Sequence, residues 1–227
     1  AAEKTAGNMS PPAENELMVY GQVPPFEFTD QDGKAFSSSS LDGQVYLATF
    51  LFTTCPTTCP QQSRELSRFQ DIDGLKLVSI TVQPNVDTPE VLKRYAGQYQ
   101  ADLTKWSFLT GPRDEIWSLS QKGFMLGVGD APEPGDLPIF HSSKIILIDR
   151  EQRIRGYYES QLREDMVKLK KDAKRLQQEP TSGASTLRPE ESAQDQSQED
   201  LSSLSKDLQG AYEGSGSEQS RVVTPTE

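Results

Sequence analysis

Two cysteines and one histidine are the side chains of this chain with the clearest capacity for chemistry. Cys55 and Cys59 are the only cysteines and His141 is the only histidine among 227 residues. Three residues separate the cysteines, and positions i and i+4 share one face of a helix, so both sulfurs can point the same way. Two neighbouring thiolates can oxidise to a disulfide or bind a soft metal ion.

Two structural alternatives compete with a reactive pair. A purely stabilising disulfide would close a very short loop, which gains little entropy. Two inert, buried thiols are the other alternative, and the surrounding proline and threonine residues argue against deep burial. A Cys-His nucleophile is disfavoured because the second cysteine would trap the first as a disulfide.

His141 is expected to lie beside the cysteines. It precedes the apolar run Lys144–Asp149, and in a thioredoxin-like sheet the loop before that strand packs against the start of the first helix. Two thiolates and an imidazole form a three-coordinate site suited to Cu(I), and binding of Cu(II) stays open. Zinc is the alternative metal, but it requires a fourth ligand. Taken alone, a single histidine is more often a solvated or packed residue.

The elements that would position these residues alternate along the chain. The pattern predicts two buried strands, a third short strand and a closing hairpin, with helices between and after them. The predicted strands are 45–52, 75–82, 106–110, 144–149 and 153–158, and the predicted helices are 60–70, 88–99, 113–122 and 161–178. We therefore predict an α/β, thioredoxin-like fold with a central mixed sheet flanked by helices.

Single residues within these elements also have predicted roles. Thr88 is expected to cap the second helix, and Gly123 to end the third. Asp87 is expected to help cap the second helix, with hydrogen bonds to the loops around the cysteines as the alternative. Large aromatic residues are expected in the core rather than in a partner groove; these are Trp106, Trp117 and Phe124.

Composition divides the chain into three parts. Residues 1–20 read as a flexible segment, 21–175 as the folded domain and 176–227 as an acidic, Ser/Gln-rich tail expected to be largely disordered. The tail holds ten acidic and three basic residues, and within it 199–208 could form a short docking helix. A basic patch on the last predicted helix (Lys168, Lys170, Lys171, Lys174, Arg175) is read as a solvated face, or as a contact for the tail.

The net charge limits the classes of partner that the chain is expected to bind. The formal charge of −11 and pI of about 4.7 disfavour nucleic acid and anionic membranes. No apolar run is long enough to span a bilayer, so any membrane anchor is expected to lie in a segment absent from this chain. The chain is expected to be a monomer.

Four stretches together resemble the Sco/SenC family, the copper-binding, thioredoxin-like assembly factors of cytochrome c oxidase. They are 21–33 (GQVPPFEFTDQDG), 55–60 (CPTTCP), 87–92 (DTPEVL) and 141–149 (HSSKIILID), in family order. Family members often carry an acidic residue where this chain has Thr57, and a histidine at Thr54.

The resemblance implies that Cys55, Cys59 and His141 are copper ligands. It implies delivery of copper to the binuclear copper site of an oxidase subunit, with another copper chaperone as a further partner. Alternatively, Cys55 and Cys59 would be redox-active and reduce the cysteines of a partner, including those of the same copper site. An extracytoplasmic location follows, with the bacterial periplasm favoured over the mitochondrial intermembrane space. Ser143 stands where redox thioredoxins carry a cis-proline, which favours metal binding over general disulfide chemistry.

Overall fold

A mixed β-sheet with helices packed on it forms the part of the chain that the structure describes. In this computed structural model those residues are 17–130 and 139–179. The strands are β1 (Gly21–Gln22), β2 (Glu27–Asp30), β3 (Ala35–Ser37), β4 (Val45–Leu51), β5 (Leu75–Thr81), β6 (Trp106–Thr110), β7 (Val128–Asp130), β8 (Ile139–His141), β9 (Lys144–Ile148) and β10 (Arg153–Glu159). The helices are α1 (Thr58–Ser67), α2 (Pro89–Gln98), α3 (Arg113–Ser118) and α4 (Arg163–Gln178).

The large sheet has the strand order β1-β10-β9-β4-β5-β6-β2-β3, and β7 and β8 form a separate antiparallel pair. Strands β4, β5 and β6 are parallel, whereas β9 runs antiparallel to β4 and continues into the hairpin partner β10. This arrangement confirms the predicted mixed sheet. The carboxyl ends of β4 and β5 and the start of β9 consequently meet at one edge, where open α/β sheets place their sites.

The apolar runs that predicted the central strands are buried because both faces of the sheet are covered. Every residue of β4 is buried, and six of the seven residues of β5 are buried. Trp106 and Phe124 are fully buried in the same core, as expected, and Trp117 packs against it. Met166 and Leu169 bury the inner face of α4.

Several boundaries differ from the prediction. Helix α1 begins at Thr58 rather than Pro60, so Cys59 lies inside its first turn. Strands β1, β2, β3, β7 and β8 were not predicted from the sequence, because segments of two to four residues show too little periodicity.

Gly123 does end the helical segment after α3, but not through a left-handed residue, since it is absent from the positive-φ glycines. A Cβ there would lie 2.8 Å from Leu119 Cδ1 and 2.9 Å from Pro24 Cδ. Close packing therefore requires this glycine. The last turn, Leu119–Gly123, is a π turn.

The predictions for the two ends of the chain lie outside the described residues. They concern most of the flexible 1–20 segment, the acidic tail and the docking helix 199–208. No described helix combines the length and apolar character needed to cross a membrane.

Candidate metal centre

The cysteines lie in the connection from β4 to α1. Phe52, directly after β4, is buried, and its carbonyl accepts a hydrogen bond from the Cys55 amide at 3.2 Å. Cys59 then follows in the first turn of α1, where backbone N–H groups lack partners within the helix. The fully buried strand therefore fixes the start of the loop, and the helix fixes its end.

The structure brings the three predicted site residues together. The Sγ atoms of Cys55 and Cys59 and a ring nitrogen of His141 all lie within 4.8 Å of one another. Cys59 Sγ is 3.1 Å from His141 Nε2. Both cysteines are free thiols.

Contacts on both sides of the imidazole orient His141. It ends β8, where it pairs with Val128 of β7, and the Phe52 ring meets it edge-on at 5.3 Å between centroids. Its Nδ1 lies 2.9 Å from the Ser142 carbonyl oxygen, which can only accept, so Nδ1 carries a proton. Because Nδ1 faces this carbonyl, Nε2 is the ring nitrogen that faces the sulfurs and is available to a metal, as in a metal-ligating histidine.

Gln62 connects α1 to the start of β9, one helical turn beyond the contact between Cys59 and His141. Its Nε2 donates to the Lys144 carbonyl at 3.1 Å, three residues beyond both Cys59 and His141. The side chain is buried, and its Oε1 has no partner among the described residues. Sequence reasoning missed Gln62, because nothing in the local pattern identifies a partner 82 residues away.

The cysteines are more buried than their neighbours suggested. Cys55 is 5% exposed and Cys59 is fully buried, which contradicts the expectation that proline and threonine neighbours would prevent deep burial. Pro56 and Thr57 themselves take the exposed positions of the loop, and the hydroxyls of Thr57 and Thr58 lie 3.8 and 3.7 Å from Cys55 Sγ. His141 is half-buried and is the most accessible of the three.

The environment makes the two thiols unequal. Burial raises the pKa of Cys55, but hydrogen bonding from His141 and from the backbone of Cys59 and Thr57 outweighs it and lowers the pKa to about 5. For Cys59, burial raises the pKa well above its ordinary value, and the nearby Cys55 raises it further. Cys55 is therefore the thiolate at neutral pH, as the position before a helix predicts.

Asp87 does not cap α2, which corrects the favoured interpretation of this residue. Thr88 is the cap, and its hydroxyl accepts from the Val91 amide. The Asp87 carboxylate instead accepts from the amide and hydroxyl of Thr53 at 3.1 and 2.5 Å and from the Thr81 hydroxyl at 2.5 Å. The alternative interpretation, hydrogen bonding to the cysteine loop, is the correct one.

The basic patch on α4 lies on its outer face. Lys168, Lys170, Lys171 and Lys174 are exposed and Arg175 is half-buried, which fits a solvated face. The acidic tail lies outside the described residues, so its contact with this patch stays a prediction.

Comparison with known proteins identifies the family. The model of the SCO1/SenC family matches residues 19–176, which is more than half of the chain. The chain belongs to the SCO1/SenC family. Among curated Sco relatives, the SCO1 protein homolog of Bacillus subtilis is 35% identical over 140 residues, or 59% of this chain and 71% of that one.

Solved Sco structures share the fold. A SCO1/SenC family lipoprotein from Bacillus anthracis is 29% identical and has a TM-score of 0.64, over 69% of this chain and 95% of that one. BsSco, described as a member of the Sco family of cytochrome c oxidase assembly proteins with a disulfide switch, is 28% identical with a TM-score of 0.61, over 71% and 97%. Copper-bound ScoI from Bradyrhizobium japonicum is 28% identical with a TM-score of 0.54, over 66% and 98%. The thioredoxin-like fold predicted from the sequence is thereby confirmed.

Proposed function

We propose that this Sco protein binds one copper ion through Cys55 Sγ, Cys59 Sγ and His141 Nε2 and delivers it to the binuclear copper site of cytochrome c oxidase. The convergence of these three donor atoms within 4.8 Å carries the proposal. Copper is the cargo in this function, and the three side chains are its temporary ligands.

The donor set suits Cu(I). Thiolates are soft ligands that favour Cu(I), and a neutral imidazole adds a third donor without adding charge. The Nδ1 contact of His141 with the Ser142 carbonyl leaves Nε2 available for the metal. The donor set suits zinc less well, because the group of candidate ligands found among the described residues contains three donors rather than four.

Release would begin at the most accessible ligand. His141 is half-buried whereas both sulfurs are covered, so an acceptor would replace the imidazole first and the thiolates afterwards. The acceptor is an oxidase subunit or another copper chaperone, met outside the cytoplasm. The similarity to a Bacillus lipoprotein and to cytochrome c oxidase assembly proteins supports this assignment.

An anaerobic titration of the reduced protein with Cu(I) against a competing chelator tests copper binding. We expect one tightly bound copper per chain, and an affinity roughly tenfold or more weaker in His141→Ala. Ser142→Ala is the matched control, because it keeps the carbonyl that orients His141 and removes no donor atom. Absence of tight copper in the wild type, or equal affinity in His141→Ala, would overturn the proposal.

Thiol–disulfide reduction is a second candidate, favoured by the inequality of the two thiols. Cys55 as thiolate would attack a partner disulfide and release one partner thiolate. Cys59 would then attack Cys55 Sγ and release the second, so two electrons pass from the cysteine pair to the partner. Cys59→Ser should trap a mixed disulfide through Cys55, and Cys55→Ser should trap none. Dithiol exchange should also survive His141→Ala, which separates this activity from copper binding.

A further inference from the structure

We propose that Arg113 and Trp117 connect the cysteine segment to the strand pair that carries His141, and that both are positioning residues of the metal centre. Neither side chain is one of the three candidate ligands. The inference rests on the proposed function, because the imidazole that these residues position is a ligand of the proposed copper site.

The strands that carry His141 lie outside the large sheet. Within the part of the chain that the structure describes, β7 and β8 pair only with each other. A strand pair of this size is marginally stable by itself, so other contacts must hold it in place. Val128 and Ile139 are buried and attach the pair to the core. Apolar contacts are non-directional, however, and do not fix how the pair is oriented.

Polar contacts with the segment around α3 supply this orientation. The Arg113 guanidinium forms an ion pair with the Asp130 carboxylate of β7. Two residues earlier on the same strand, the Val128 carbonyl accepts a hydrogen bond from Gln121 Nε2 at 2.9 Å. Val128 is the register partner of His141. Strand β7 is therefore held at the position opposite the imidazole, and again at the next residue on the same face.

Trp117 continues the connection to the cysteine segment. The Arg113 guanidinium carbon lies 3.9 Å from the centroid of its ring. Trp117 Nε1 donates to the Val82 carbonyl at 2.9 Å, and the Val82 amide donates to the Leu51 carbonyl at 2.8 Å. Leu51 is the last residue of β4, after which the cysteine loop begins. A path of contacts thus runs from the start of the cysteine loop through α3 to the strand that pairs with β8.

The stacking of Arg113 on Trp117 makes an exposed ion pair effective. The side chain of Asp130 is 70% exposed and that of Arg113 is 36% exposed. An exposed pair by itself contributes little, because ordering two side chains costs entropy. Here the guanidinium already lies over the indole, so less of its freedom is lost when it binds the carboxylate. We therefore assign the positioning role to the two residues together.

The position of His141 can be measured without copper. His141 is the only histidine in the chain, so its imidazole gives a unique NMR signal, and its ring centroid lies 5.3 Å from that of Phe52. In the reduced, metal-free full chain we expect a nuclear Overhauser effect between these two rings. It should weaken in Arg113→Gln, which removes the charge and the stacking on Trp117, and weaken less in Arg113→Lys, which keeps the charge. An Arg113→Gln signal equal to that of wild type would overturn the proposal.

Trp117→Phe tests the second half of the connection. Phenylalanine keeps an aromatic ring next to Arg113 but removes the hydrogen bond to the Val82 carbonyl. We expect the signal between the two rings to weaken in this variant as well. A signal of wild-type strength would show that Trp117 has no part in positioning His141.

A double-mutant cycle tests whether Arg113 acts through Asp130. Asp130→Asn keeps the size of the side chain and removes its charge, so it should add little to the effect of Arg113→Gln. Lys93→Gln is the matched control, because Lys93 forms another exposed ion pair, with Asp32 at 2.7 Å, away from this path. Additive effects in the cycle, or an equal loss of signal in Lys93→Gln, would overturn the role of the Arg113–Asp130 pair.

Competition with a chelator for Cu(I) relates this position to copper affinity. We expect Arg113→Gln to bind Cu(I) roughly fivefold more weakly than wild type, and Lys93→Gln to bind it like wild type. If wild type binds no copper but the ring signal weakens in Arg113→Gln, the positioning role stands and the proposed function fails. If wild type binds copper and Arg113→Gln leaves the affinity unchanged, the proposed function stands and this inference is wrong.

Discussion

At the scale of single residues, the chemistry depends on which sulfur carries the charge. Cys55 and Cys59 are the same residue type four positions apart, yet their surroundings move the pKa values in opposite directions. Cys59 lies fully inside the protein, whereas Cys55 accepts hydrogen bonds from backbone groups at the start of α1. A metal-free centre with one thiolate and one thiol is therefore ready either to bind Cu(I), losing one more proton, or to attack a disulfide through Cys55.

The ionisation of Cys55 gives a prediction about pH. Its pKa in the folded chain is about 5, against 9.0 for an ordinary thiol. Ionisation of Cys55 therefore stabilises the fold fully above the unfolded value, and this contribution is lost as the pH falls through about 5. Ultraviolet absorbance of the thiolate in the reduced, metal-free protein should show a step near that pH.

The step should disappear in Cys55→Ser and persist in Cys59→Ser. A wild-type protein whose thiolate absorbance stays flat until the pH approaches that of an ordinary thiol would contradict the assignment of Cys55 as the thiolate.

At the scale of elements, the site depends on how α1 is held against the strand that follows His141. Gln62 supplies a direct bond between them, one turn beyond the Cys59–His141 contact. We expect Gln62→Met, which keeps the length of the side chain, to lower the free energy of unfolding by about 1 kcal/mol through the lost hydrogen bond. It should also weaken Cu(I) binding, because the distance between the sulfur and the imidazole is no longer fixed.

The two effects can be separated by urea denaturation and copper competition on the same variant. Gln61→Met is the matched control, since Gln61 is adjacent on α1 but only half-buried and makes no comparable bond to β9. Equal copper affinity in Gln62→Met and Gln61→Met would show that Gln62 has no part in positioning the ligands.

The lengths and contacts of these elements also explain how much of the fold and of the site could be predicted from the sequence. The fully buried strands β4 and β5 were predictable because their apolar runs are long, and the capping pattern of Thr88-Pro89 predicted the start of α2 correctly. The C-x₃-C spacing and the order of the strands predicted the meeting of the cysteines with His141. Asp87 was misjudged because its position beside Thr88 suggests a helix cap, whereas its partner Thr53 lies 34 residues away. A hydrogen bond between residues far apart in the chain leaves no local sequence pattern from which it could be predicted.

At the scale of the whole molecule, one buried ion-pair network joins distant parts of the chain. Arg155, 2% exposed, donates to the Asp149 carboxylate at 2.9 Å and to the Leu17 carbonyl at 2.8 Å, and lies 3.4 Å from Glu179. The guanidinium of Arg155 thus contacts three parts of the chain: the N-terminal end of the described residues, the β9–β10 hairpin and the end of α4. The network lies at the end of β9 opposite to His141, so it stabilises the sheet without contacting the metal centre.

Removing this guanidinium should destabilise the fold and spare the site. Arg155→Met leaves the nearly buried Asp149 with Arg153 as its remaining ionic partner, so we expect the free energy of unfolding to fall by about 3 kcal/mol in urea denaturation. Arg68→Met, which breaks the exposed pair with Glu65, should cost no more than about 0.5 kcal/mol. Copper affinity per folded chain should be unchanged in both variants.

The pH dependence of the Arg155 effect provides an independent check. Burial raises the pKa of Asp149, but hydrogen bonds from the backbone of Arg153 and the side chains of Arg155 and Arg153 outweigh it and hold the pKa below the ordinary 3.8. A lowered carboxyl pKa stabilises the fold above the unfolded value and loses that contribution as the pH falls through the folded one. The stability difference between wild type and Arg155→Met should therefore be constant near neutral pH and shrink in acid. A difference that stays constant as the pH falls into the acid range would mean that Arg155 acts by packing alone, because packing does not depend on the charge of Asp149.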